Sequence, residues 1–174
     1  MAKEWVAIGI GSNINRSANI RAGVRFLAQQ FLPDIEQLRV SPVYESAALG
    51  FTGPPFYNLV VSFYSAAPLL DIQRACKALE QQFGRDEHAT KCSSRRLDLD
   101  ILLYGQRVQA AAEGEPELPR AEVLTSAFVL KPLADLHPLF KHPQRGENYL
   151  SLWQQFLHSP AGQLQPLTPI AFTW

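Results

Sequence analysis

Residues 95–105 read Arg-Arg-Leu-Asp-Leu-Asp-Ile-Leu-Leu-Tyr-Gly, and the strict alternation from Leu97 to Ile101 constrains this chain more than any other feature. In a strand, side chains at i and i+2 point to the same face, about 7 Å apart. Leu97, Leu99 and Ile101 therefore predict a buried face, while Asp98 and Asp100 converge on the opposite one. Gly105 turns the chain at the strand's end. The fold must supply an apolar layer beneath this strand and keep its other side open to something that accepts two close carboxylates.

Magnesium meets that demand, because it takes hard oxygen ligands and is usually held by one or two carboxylates together with substrate phosphates. The plainer reading is an exposed strand face carrying two solvated aspartates. Arg85, Lys91, Arg95 and Arg96 precede the pair in a polar loop spanning 85–96. Guanidinium groups contact phosphate oxygens bidentately, so cations leading into a metal-binding strand suit polyphosphate recognition. An ordinary charged surface loop is the competing reading, with Asp86 and Glu87 diluting the positive charge.

Composition narrows the partners. Lys plus Arg and Asp plus Glu are 16 each, so the formal net charge is zero and no global field exists to hold nucleic acid or an anionic membrane. Any bound anion needs a local cluster. Hydrophobic residues make up 47% and charged residues 18%, which is ample material for a core and places the chain, residues 1–174, as a single domain. No apolar run approaches the ~20 residues that span a bilayer. Cys76 and Cys92 make neither a disulfide framework nor a metal-ligand array, and the N-terminus runs straight into a strand-like segment, so the expected location is the cytoplasm. His137, His142 and His158 lack zinc-ligand spacing and read as packing or surface residues.

Strand-like segments are predicted at 5–10, at 35–44 with a break near Pro42, at 57–64 and at 97–104. Helical spacing of apolar residues predicts helices at 17–31 and 69–83, the second stopped by Gly84, with a short apolar helix or turn segment at 128–136 and a final helix at 149–157. The order β-α-β-β-α-β is the ferredoxin-like pattern, an α+β sandwich with a mainly antiparallel sheet, followed by a C-terminal extension. Between the second and third strands, Leu49, Phe51, Phe56 and Tyr57 gather around a Gly- and Pro-rich loop that ends at Asn58. A flat heterocycle would stack there with Asn58 on its polar edge; aromatics completing the core are the bland alternative. Gly9 to Asn13 lacks the Lys of a Walker A loop.

Taken together, Ala7-Ile8-Gly9-Ile10-Gly11-Ser12-Asn13, Ser41 to Ser46 with Leu49-Gly50-Phe51, Pro55 to Asn58, Gly84-Arg85, Arg95 to Gly105 and Ala127 to Leu130 resemble the 6-hydroxymethyl-7,8-dihydropterin pyrophosphokinases. The resemblance implies transfer of pyrophosphate from ATP to the hydroxymethyl oxygen of a reduced pterin, giving AMP, by a monomer. It implies two magnesium ions on Asp98 and Asp100, catalytic roles for those residues with Arg85 and Arg95, and nucleotide contacts from Glu80, Arg85, Lys91, Arg95 and Arg120. Ser46, Leu49, Phe56, Asn58 and Phe128 would bind the pterin. The chain departs from the family's Arg-Trp-Gly-Pro-Arg loop with Lys91-Cys92-Ser93-Ser94-Arg95, and carries Leu118-Pro119-Arg120 and Ser126 where the family commonly has Leu-Pro-His and an Arg. These departures leave two further readings: a paralogue with another pterin-like acceptor, or a non-catalytic binding relative.

Overall fold

A computed structural model describes residues 2–31, 37–84 and 93–174. In chain order the elements are β1 (Glu4–Ser12), α1 (Arg16–Phe31), β2 (Arg39–Val40), β3 (Val43–Ser46), β4 (Phe56–Ser65), α2 (Leu69–Gln82), β5 (Asp98–Tyr104), α3 (Glu122–Thr125), α4 (Ala127–Leu136), α5 (Tyr149–Leu157), α6 (Pro160–Gln163) and β6 (Thr168–Ile170). The sheet runs β5-β1-β4-β3-β6 with β2 also on β4, and every pairing is antiparallel. Its β5-β1-β4-β3 core is the ferredoxin-like order expected of the sequence.

Alternation in the strands divides the apolar residues between two layers. Val6, Ile8, Ile10, Leu59, Val61, Phe63, Leu97, Leu99 and Ile101 bury against α1 and α2 through Ile20, Leu27, Ile72 and Cys76. The opposite face, through Ala7, Val60 and Leu102, buries against Val123, Val129, Leu130, Leu133 and Leu152 of α3, α4 and α5. Helices thus cover both faces, but α4 reaches only part of the second one. Beyond its first turn the sheet surface formed by Gly9, Gly11, Asn58, Asp98 and Asp100 lines a cleft.

The sequence reading needs two adjustments. The strand expected over 35–44 is two short pieces, because Ser41 breaks the ladder: its N–H donates to the Val60 carbonyl (2.9 Å), its Oγ accepts from Val60 N–H (2.9 Å), and Pro42 has no N–H to give. The start of that segment lies outside the described residues. Second, 149–157 is not the final helix: the chain continues through α6, and then adds β6 to the outer edge of β3. The reading of the histidines as packing or surface residues holds: His137 and His142 are buried (7% and 2% exposed) and His158 is exposed. Among the described residues no helix is long and apolar enough to cross a membrane.

Candidate active site

One row of the sheet builds the floor of the cleft. Gly11 on β1 pairs with Asn58 on β4 and with Asp98 on β5, and Gly9 pairs with Asp100 one step along. Asn58 and the two aspartates therefore share a face, separated by a strand that presents only glycines, Gly9 and Gly11, at those positions. A Cβ at Gly11 would stand 2.9 Å from Asn58 Oδ1, closer than real side chains approach, so Asn58 keeps its position only because residue 11 is glycine. Asn58 donates from Nδ2 to Ser46 Oγ (2.7 Å) and is 7% exposed. Phe51 and Phe56 meet edge-to-face at 6.4 Å beside it, and Leu49 and Phe128 complete an apolar wall.

The other half is charged. Arg95 and Arg120 flank the aspartates: Arg95 Nη1 lies 3.8 Å from Asp98 Oδ1, and Arg120 Nη2 lies 3.1 Å from Asp100 Oδ1. Both carboxylates thus have a guanidinium neighbour. Arg120 arrives because its N–H donates to the Leu102 carbonyl (2.9 Å), running residues 118–120 beside β5. Arg95 is held by Asn13, whose Oδ1 accepts the Arg95 N–H (2.7 Å), whose own N–H donates to the Arg95 carbonyl (3.0 Å), and whose Nδ2 donates to Pro54 O and Ser94 Oγ. One buried amide so ties the loop beside the aromatic wall to the loop beside the aspartates.

Desolvation, and next the charge of Asp98, push the Asp100 carboxyl up to about 6, with Arg120 opposing. Two hard oxygen donors side by side fit a divalent cation. Among the described residues no group of three or more His, Cys, Asp or Glu side chains forms a metal cluster. Two carboxylates completed by substrate oxygens and water is the usual arrangement for magnesium rather than for zinc or calcium.

The cleft, of about 210 Å³, brings together Ser46, Leu49, Phe56, Asn58, Arg95, Asp98, Asp100, Arg120 and Phe128 of the residues singled out in the sequence. Glu80 does not line it. It is fully buried behind β5, where Oε1 accepts the Leu99 N–H (2.7 Å) and Oε2 meets Lys77 Nζ (3.0 Å). Arg85 and Lys91 lie outside the described residues. Sequence reasoning passed over Glu122, which lines the cleft and pairs with Arg120 Nε at 3.4 Å, and the clamp at Asn13. An Asn closing a strand-to-helix turn, two residues after Gly11, was the available signal for the latter.

Carboxylates flanked by guanidiniums, beside an aromatic and amide-lined wall on a ferredoxin-like sheet, fit a phosphoryl-group transferase with a flat acceptor. Comparison with known proteins gives the particular family. Its model, 7,8-dihydro-6-hydroxymethylpterin-pyrophosphokinase (HPPK), matches residues 7–138, and the chain belongs to this family. The 2-amino-4-hydroxy-6-hydroxymethyldihydropteridine pyrophosphokinase of Pseudomonas aeruginosa is 35% identical over 146 residues, covering 79% of this chain and 83% of the relative. The Synechocystis protein of the same name is 30% identical over 149 residues, 85% of this chain and 74% of the relative. Among solved structures, an HPPK-DHPS in complex with substrates has a TM-score of 0.65 at 12% identity, covering 89% of this chain and 44% of that one. Wild-type Plasmodium falciparum HPPK-DHPS with pterin and p-hydroxybenzoate gives 0.65 at 13%, covering 90% and 42%. The chain spans under half of those longer proteins, and the likeness to them is one of fold. Members of the family are ATP-dependent pyrophosphokinases of folate synthesis and typically use magnesium.

Proposed function

We propose that this chain transfers pyrophosphate from ATP to the hydroxymethyl group of 6-hydroxymethyl-7,8-dihydropterin, as a cytoplasmic, single-domain monomer. The observation that carries the reading is the single sheet row that sets Asn58 and Asp98 on one face, either side of Gly11. An amide suited to a heterocycle edge and a carboxylate pair suited to a metal-bound polyphosphate share one cleft because β4, β1 and β5 are neighbours. The hydroxymethyl oxygen attacks the β-phosphorus, the bond from that phosphorus to the α-bridging oxygen breaks, AMP leaves, and the hydroxyl proton passes to solvent.

Asp98 and Asp100 would hold magnesium, two ions in this reading, which supplies charge neutralisation along the triphosphate. The chain's own side chains do the rest. Phe51, Phe56 and Phe128 take the pterin rings. Asn58, fixed by Ser46, and the backbone near Leu49 orient the pterin's polar edge. Arg95 and Arg120 contact phosphate oxygens, with Arg85 and Lys91 as further nucleotide cations. Glu80 serves as a positioning residue, since its bond to the Leu99 N–H fixes the segment between the two aspartates. Such chemistry needs positioning and charge compensation more than a strong base.

The dissection that tests this separates the two halves. Asn58→Ala raises the KM for the pterin about 10-fold, equivalent to ~1.4 kcal/mol, and leaves the affinity for a non-hydrolysable ATP analogue unchanged. Asp98→Ala and Asp100→Ala abolish the magnesium dependence of nucleotide binding. Unaltered pterin KM in the first variant, or retained magnesium dependence in both others, contradicts the assignment.

A further inference from the structure

Arg120 stands on the inner of the two aspartates rather than pointing free into the cleft. Its Nη2 is 3.1 Å from Asp100 Oδ1, and its Nε meets Glu122 Oε2 at 3.4 Å. That Nε is shut off from solvent and makes no hydrogen bond. The backbone is anchored by the N–H bond to Leu102, so only the side chain is left to move. Asp100 is thus in close contact with a guanidinium.

We propose that Arg120 is a built-in counter-cation for Asp100: its guanidinium and a divalent cation are alternative occupants of that carboxylate, and nucleotide phosphate draws the guanidinium away. Arginine does not deprotonate in proteins, so it relieves its repulsion of an incoming cation only by changing position. A phosphate oxygen is the natural destination, since it satisfies the Nε donor that has no hydrogen bond where it stands. Metal and nucleotide then bind synergistically: the free protein holds a divalent cation weakly, through Asp98, and the full pair becomes available when ATP arrives. This deepens the proposed function and rests on its assignment of the metal to Asp98 and Asp100.

The test uses the intact protein and Mn2+ without nucleotide, with free Mn2+ counted by electron paramagnetic resonance. Arg120→Met should bind Mn2+ at least ~10-fold tighter than the wild type, because a like charge has been removed from the metal's own ligand. It should also bind a magnesium-loaded, non-hydrolysable ATP analogue more weakly, so that the synergy between metal and nucleotide falls at least ~10-fold. Adding Asp100→Ala to Arg120→Met should erase the gain. Affinity for Mn2+ within ~2-fold of wild type in Arg120→Met overturns the proposal, provided that Asp98→Ala loses Mn2+ binding. If Asp98→Ala binds Mn2+ as the wild type does, the metal assignment falls and this proposal with it. A measurement on the wild type needs no stable variant: the Arg120 Nε–H nuclear magnetic resonance signal should move when the ATP analogue is added with Mg2+ and hold still with Mg2+ alone at the same concentration. A signal that never moves overturns the exchange.

Discussion

Gly11→Ala puts a methyl where the structure has no room for one. The new Cβ would lie 2.9 Å from Asn58 Oδ1 and 3.7 Å from Phe56 Cδ1. Ordinary contact begins near 3.4 Å, so Asn58 must retreat by about 0.5 Å while Phe56 stays. A displacement of 1 Å at a positioning group costs on the order of 100-fold, and half that distance about 10-fold, or ~1.4 kcal/mol. The strand itself suffers little, because removing a glycine from the unfolded chain stabilises by roughly 0.4–1 kcal/mol and offsets part of the crowding. The assay is steady-state AMP formation with varied pterin, paired with thermal unfolding. KM for the pterin should rise about 10-fold with Tm nearly unchanged, and the double variant Gly11→Ala/Asn58→Ala should be no worse than Asn58→Ala alone, since both act through one side chain. Additive losses would refute the argument that Gly11 serves Asn58.

Three further expectations follow from buried groups. Glu80→Ala leaves the Leu99 N–H without its 2.7 Å acceptor and should cost about 2–3 kcal/mol in urea unfolding, whereas Glu80→Gln, which keeps an acceptor, should cost about 1; equal losses would contradict the role given to that bond. Burial, and then Arg39, hold the His137 imidazole at about 4 against an ordinary 6.5, with Ser62 Oγ 2.7 Å from Nε2. The unfolded chain therefore takes up a proton below pH 6.5 that the folded chain refuses until about pH 4, so stability is complete above the first value and falls by up to ~3 kcal/mol toward the second. His137→Gln should flatten that slope in urea midpoints measured from pH 7.5 to 4.5. The Cys76 thiol, fully buried and pushed up to about 12 by burial and then by Glu80, should resist a thiol reagent until the protein unfolds; rapid labelling of native Cys76 would contradict its place in the core.

The parts of this molecule written in local periodicity were readable in advance. Alternation in Leu97–Ile101 gave both the buried face and the carboxylate pair, and the β-α-β-β-α-β order gave the sheet. Long-range pairings were not readable. Arg120 reaches Asp100 through a backbone bond to Leu102, and nothing in the sequence around it announces that it lies beside β5. The resemblance put Glu80 among the nucleotide contacts, yet it faces inward because the edge strand β5 presents an N–H that needs an acceptor. The strand β6 is three residues long and contains a proline, which is tolerated at a sheet edge and carries no strand signal in sequence. The Asn58–Gly11–Asp98 row emerges only once β1 is known to lie between β4 and β5.

The most direct measurement incubates the purified protein with magnesium, ATP and 6-hydroxymethyl-7,8-dihydropterin and follows phosphorus resonances with time. The account predicts AMP and a pterin diphosphate ester in equal amounts, strictly dependent on the pterin, with neither ADP nor free phosphate. Folded protein that binds magnesium-ATP but releases no AMP, or releases ADP instead, would contradict pyrophosphoryl transfer in this cleft.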